Sequence, residues 1–144
     1  MAQPLERITH GAEKNATHSI IWLHGLGADG NDFVPILPQL ELRPTTRITF
    51  PHAPVRPITL NYGMPMRGWY DIKDLSFEQR DEDLAGIEAS AAQILAIAKE
   101  EEQRGIPAEN LLYAGFSQGG VLALYLGLRH PCAGILALST YLAD

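Results

Sequence analysis

Leu111-Leu112-Tyr113-Ala114-Gly115-Phe116-Ser117-Gln118-Gly119-Gly120-Val121-Leu122-Ala123-Leu124-Tyr125-Leu126 places Gly-x-Ser-x-Gly between two apolar runs. The run before it is short, as a buried strand is. The run after it reads as a helix reaching to about Arg129. Strand, sharp turn and helix are the setting in which Gly-x-Ser-x-Gly forms a nucleophile elbow. Such a turn leaves no room for side chains beside the serine, which accounts for Gly115 and Gly119. It lifts the Ser117 hydroxyl clear of the backbone. The N-terminus of the following helix lends positive potential where an oxyanion would form. The five-residue pattern alone is a weak signal. Its place between a buried strand and a buried helix separates it from a tight turn with an incidental serine.

Outward from the elbow the alternation repeats. Residues 19–23, with two isoleucines and a tryptophan, read as a buried strand, and residues 47–50 as another. Residues 134–139 form a third, because Ile135, Leu136, Ala137 and Leu138 are apolar on both faces, as inside a parallel sheet. Residues 5–9 suit a short edge strand. Asn31 or Asp32 can cap a short helix through about Leu40, disturbed by Pro35 and Pro38. The clearest helix is predicted from about Asp81 to Arg104. Leu84, Ile87, Ala91, Ile94, Leu95 and Ala98 form its apolar stripe, and Asp81, Glu82 and Asp83 sit at its positive end. Gly105 and Pro107 stop it. The charges at 99–102 are expected at a solvated helix end. Residues 51–74 form a long irregular stretch with four prolines, and its Tyr62, Trp69 and Tyr70 argue for an ordered binding loop. Strands and helices in alternation predict an α/β fold with a mainly parallel central sheet.

The 144 residues fit one domain, 1–144, with no internal repeat, low-complexity tract or linker. A formal charge of -6 argues against a nucleic-acid footprint and against attraction to anionic membranes. Cys132 is the one cysteine, so no disulfide forms within the chain, and a reducing cytoplasm is the natural reading. Residues 1–7 lack the apolar core of a signal peptide, and no apolar run has the length of a membrane span. Ala2 stands where a myristoylated chain carries glycine, so no stable membrane anchor is expected.

A nucleophilic serine needs an oxyanion hole. One donor is expected at the backbone N–H after the nucleophile, Gln118. The second is expected from a loop after an earlier strand, and His24-Gly25-Leu26-Gly27 follows residues 19–23. Its glycines let the backbone approach a substrate carbonyl, with the Leu26 N–H as donor. Gly25, Gly27 and Gly30 also spell the dinucleotide pattern G-x-G-x-x-G. That reading needs an acid at the end of the next strand, yet no Asp or Glu lies between Arg43 and Tyr70.

Four segments together resemble a known family: residues 21–30, Trp69-Tyr70-Asp71-Ile72, residues 114–120 and Ala137-Leu138-Ser139-Thr140-Tyr141. They are similar to small bacterial carboxylesterases related to acyl-protein thioesterases and lysophospholipases, which are α/β-hydrolases. The resemblance spans almost the whole chain in the same order. It implies hydrolysis of small esters or thioesters through an acyl-enzyme, with no cofactor and no metal. Ser117 would be the nucleophile, Leu26 and Gln118 the oxyanion donors, and Trp69 and Tyr70 candidates for substrate contact or for plain loop packing. Homodimers are common in such enzymes.

In this fold the triad runs Ser, then Asp or Glu, then His. After Ser117 the only histidine is His130 and the only acid Asp144, in reversed order. His130 also lies ~20 Å down the helix at 1.5 Å per residue, so it suits the helix end rather than the role of base. His24 and His52 follow strands on the same edge as Ser117, and the resemblance makes His24 a loop-shaping residue. His10 and His18 are expected at the surface. The triad Asp and His are therefore expected beyond residue 144, with the chain as the N-terminal two-thirds of a hydrolase or the companion of a chain carrying the rest. The rival reading is a non-catalytic fragment or pseudoenzyme that binds acyl ligands or a companion chain.

Overall fold

Every residue of β2 (His18–Leu23) after its first is buried. A strand apolar on both faces needs neighbours on both sides. In the computed structural model, which describes residues 4–73 and 82–143, β2 is the central strand. It lies between β3 (Thr46–Pro51) and β6 (Leu111–Phe116), parallel to both. β7 (Gly134–Leu138) extends the parallel set beyond β6, and β1 (Arg7–Gly11) runs antiparallel to β3. The sheet order is β1-β3-β2-β6-β7. The expected α/β fold with a mainly parallel sheet is thus present. A small antiparallel hairpin, β4 (Val55–Pro57) with β5 (Pro65–Arg67), stands apart from it within the stretch expected to be irregular.

The two faces of the sheet are covered differently. Ile21, Leu23, Leu111 and Tyr113 meet α1 (Leu84–Gln103) and α2 (Gln118–Arg129) through Ile87, Ile94, Val121 and Leu122. On the other face Ile20, Trp22, Ile48 and Phe50 pack against Phe33 and the segment that follows it. That segment, Val34–Gln39, is a 3-10 helix rather than the expected α-helix. Pro35 and Pro38 have no N–H to give an α-helical ladder, so the chain takes the tighter turn.

Other expectations shift in detail. α1 begins at Leu84 with Asp83 as its cap, the side chain accepting from the Gly86 N–H. Asp81 lies outside the described residues. The buried stripe includes Ile97 and Ser90, while Leu84 is exposed and Leu95 half-buried. β7, apolar on both faces as a strand inside a parallel sheet is, lies last in the strand order of the described residues, with Leu136 38% exposed.

Glu101 departs most from expectation. Instead of a solvated helix end it is 2% exposed. Its carboxylate accepts from Ser19 Oγ at 2.7 Å and from Arg47 Nε at 3.1 and 3.2 Å, with Arg104 Nε at 3.3 Å. Ser19 belongs to β2 and Arg47 to β3, so one carboxylate ties α1 to two strands. A buried charge is tolerated when it is paired and hydrogen-bonded in this way. Glu101→Ala is expected to destabilise the fold by about 3–5 kcal/mol in urea unfolding, because it strands the Arg47 guanidinium. Adding Arg47→Met should recover part of that loss.

Candidate active site

Parallel pairing sets the site. Leu23 of β2 lies opposite Gly115 of β6, so two residues later Gly25 and Ser117 emerge side by side. A Cβ built on Gly25 would stand 3.5 Å from the Ser117 Cβ. Ser117 itself has φ 55 and ψ -118, a backbone conformation that a non-glycine residue keeps only when its surroundings impose it. The constraints are visible. The Ser117 N–H donates to the Leu138 carbonyl at 2.9 Å, and its own carbonyl accepts from Thr140 Oγ1 at 2.5 Å and from the Gly120 N–H at 3.0 Å.

The two glycines of the motif are there for clearance. A Cβ on Gly115 would lie 2.2 Å from the Gly119 carbonyl oxygen, and one on Gly119 would lie 2.2 Å from the Leu23 carbonyl oxygen. Neither can be relieved by turning a side chain, because the obstacle is backbone.

The facing loop is a β-turn closed by the Ala28 N–H on the Gly25 carbonyl at 3.2 Å, with Gly27 at φ +78. The Gly27 N–H is anchored on the Arg67 carbonyl of β5 at 2.8 Å. Among the described residues, neither the Leu26 N–H nor the Gln118 N–H has a protein acceptor. Gly30, third glycine of the dinucleotide pattern, opens no helix; its N–H donates to His52 Nδ1 at 3.0 Å.

The histidines are occupied or distant. His24 is buried, and Nε2 accepts from the Ala53 N–H at 2.9 Å. Nδ1 must then carry the ring proton, which it donates to the Gly25 carbonyl at 2.7 Å. Both nitrogens are used, so His24 shapes the loop and has no free lone pair for Ser117. His52 is half-buried on Gly30, His10 is exposed, and His18 is half-buried against Thr17. His130 caps the far end of α2.

Trp69 and Tyr70, candidates from the sequence for substrate contact or for plain loop packing, are both buried. Trp69 is 0% exposed and Tyr70 is buried, so neither ring reaches the surface beside Ser117. Tyr62 of the same stretch is 93% exposed. The Trp69 indole packs on His24 with ring centroids 5.2 Å apart, and its Nε1–H donates to the His24 carbonyl at 2.8 Å. The Gln118 side chain, buried behind the elbow, bonds the Trp69 N–H and the Tyr70 carbonyl, each at 2.7 Å. Sequence reading chose Gln118 for its backbone and missed this carboxamide. It also missed Ser90, whose hydroxyl donates to the Trp69 carbonyl; the available signal was one polar residue on an apolar helix stripe.

A family model described as Phospholipase/Carboxylesterase matches residues 5–144. Acyl-protein thioesterase 1 of Neurospora crassa is 44% identical over 135 residues, covering 88% of this chain and 55% of that protein. The structure of acyl-protein thioesterase 2 from Zea mays superposes with a TM-score of 0.78 at 32% identity, covering 95% of this chain and 62% of that one. Arabidopsis thaliana SOBER1 gives a TM-score of 0.79 at 32% identity, covering 86% and 61%. The chain thus spans a little over half the length of these relatives. Among its described residues, no helix is long and apolar enough to cross a membrane.

Burial holds the His24 pKa below its ordinary 6.5, against the Gly25 carbonyl, which favours the protonated ring. An unfolded chain takes up a proton near pH 6.5 that the folded chain refuses. The contribution to stability is therefore complete above that pH and declines as pH falls below it. His24→Asn, which removes the titrating ring, is expected to flatten the fall in the urea midpoint between about pH 7 and 5.5. An unchanged slope would assign the decline to other groups.

Proposed function

The chain belongs to the phospholipase/carboxylesterase family, and on that premise we propose that the full polypeptide hydrolyses carboxylic esters or thioesters through an acyl-enzyme on Ser117. The observation that carries this reading is the enforced elbow: Ser117 at φ 55, beside a glycine loop whose Leu26 N–H meets no acceptor among the described residues. Ser117 Oγ attacks the substrate carbonyl carbon while a base takes its proton. The carbonyl oxygen becomes an oxyanion, held by the Leu26 and Gln118 N–H groups. Each such donor is typically worth a factor of about 10² to 10³ in rate. The tetrahedral adduct collapses, the alcohol or thiol leaves with a proton, and water repeats the sequence on the acyl-enzyme.

The base and its orienting acid are proposed to follow residue 144, since the two ring nitrogens of His24 are engaged and His130 lies at the far end of α2. Trp69 and Tyr70 support the site from beneath in this reading. A reducing cytoplasm is the proposed compartment, on the strength of the single Cys132.

In the full polypeptide a fluorophosphonate should label Ser117. Ser117→Ala should abolish labelling and lower nitrophenyl ester turnover by on the order of 10⁶-fold. Labelling that persists in Ser117→Ala would overturn the assignment. A wild-type protein that binds acyl ligands without labelling or turnover would favour the non-catalytic reading.

A further inference from the structure

The last ladder pair between β2 and β6 is Leu23 opposite Gly115. Both oxyanion donors lie beyond it, on backbone that the sheet no longer holds across that seam. A second hydrogen-bonded route crosses the seam underneath. The Leu26 N–H and the Gly25 carbonyl belong to one planar peptide unit, so fixing one end aims the other. The His24 Nδ1–H holds the Gly25 carbonyl at 2.7 Å, and the Ala53 N–H on Nε2 fixes the tautomer that lets it do so. The His24 carbonyl is held in turn by the Trp69 indole N–H at 2.8 Å. The Trp69 backbone N–H reaches Gln118 Oε1 at 2.7 Å, and the Ser90 hydroxyl takes the Trp69 carbonyl. The other oxyanion donor is the backbone N–H of that same Gln118.

We infer that Trp69 is a positioning residue: its indole N–H and the Gln118 carboxamide form a buried brace that fixes the spacing and aim of the Leu26 and Gln118 oxyanion donors. The inference rests on the oxyanion assignment proposed above. His24, Trp69 and Gln118 are buried, with their side-chain polar atoms committed to one another or to backbone. Water cannot substitute for a deleted member without entering the core, so the brace fails as a unit. The groups it aims bind charge that exists only in the transition state. A slackened brace therefore lowers kcat and leaves KM nearly unchanged.

The test uses the full polypeptide, a nitrophenyl ester and an alkylboronic acid. The boronate adds to the serine and places an oxygen in the oxyanion hole. Trp69→Phe keeps an aromatic ring and deletes the N–H. It should lower kcat by about 10- to 100-fold, hold KM within about twofold, and raise the boronate Ki in proportion to the loss in kcat/KM. Trp22→Phe is the control, because the buried Trp22 N–H has no hydrogen-bond partner among the described residues; it should leave all three values unchanged. If Trp69→Phe fails to fold, a second pair decides. His24→Asn places an N–H near Nδ1 and should retain more kcat than His24→Gln, which places its amide near Nε2. A folded Trp69→Phe with wild-type kcat, a loss carried by KM, or His24→Gln matching His24→Asn would each overturn the brace. A wild-type protein insensitive to boronate would instead overturn the oxyanion assignment beneath it.

Discussion

The close approach of Gly119 to the Leu23 carbonyl is the constraint on which the rest depends. A helix can begin directly behind a strand end only if its first turn touches backbone, and a methyl group there would stand 2.2 Å from an oxygen. With that contact made, α2 starts at Gln118, the chain must reverse at Ser117, and the serine takes a conformation it would not choose alone. Gly115 clears the same turn from the strand side. The loop after β2 then lies next to the elbow because parallel register puts Gly25 level with Ser117. Ser117 and the loop of Gly25 and Leu26 are thus brought together by main-chain packing.

The sequence made the sheet legible where burial is two-sided. Residues 19–23 and 111–116 are apolar enough that only a central position satisfies them, and there they lie. The closeness of the Ser117 turn and the Leu26 loop is legible for a related reason: glycines mark where backbone must come close. What resisted reading was pairing between remote parts. Nothing local distinguishes Glu101 from its neighbours Glu100 and Glu102, one exposed salt-bridge partner and one exposed charge. Only the arrival of Ser19 and Arg47 from two strands turns it inward. The same holds for Trp69. An aromatic residue in a long loop reads equally as a binding or a packing residue, and nothing local announces that its indole N–H will meet the His24 carbonyl.

Polar groups in the interior serve two separate regions. Glu101 fastens α1 to β2 and β3 near the start of those strands, while Gln118, Trp69 and His24 fasten the loops at their far ends. Between them the contact is apolar, through residues such as Ile21, Ile87, Ile94 and Leu122. Hydrophobic packing sets how tightly the layers meet. The directional bonds set which registers are acceptable, since a shifted partner would leave buried polar atoms unpaired.

The Trp69 bonds also carry a timing consequence. They join residues 45 positions apart, to His24, and 49 apart, to Gln118. Contacts of that separation close late, because the chain entropy of both loops must be surrendered before either bond forms. β1 and β3 can pair as soon as residue 51 is available, whereas the elbow must wait for β6. During synthesis from the N-terminus, the residues of the loop after β2 emerge long before the surface that shapes them. The loop spends that interval without its final form, and the strained turn at Ser117 takes shape only as the two halves of the sheet meet.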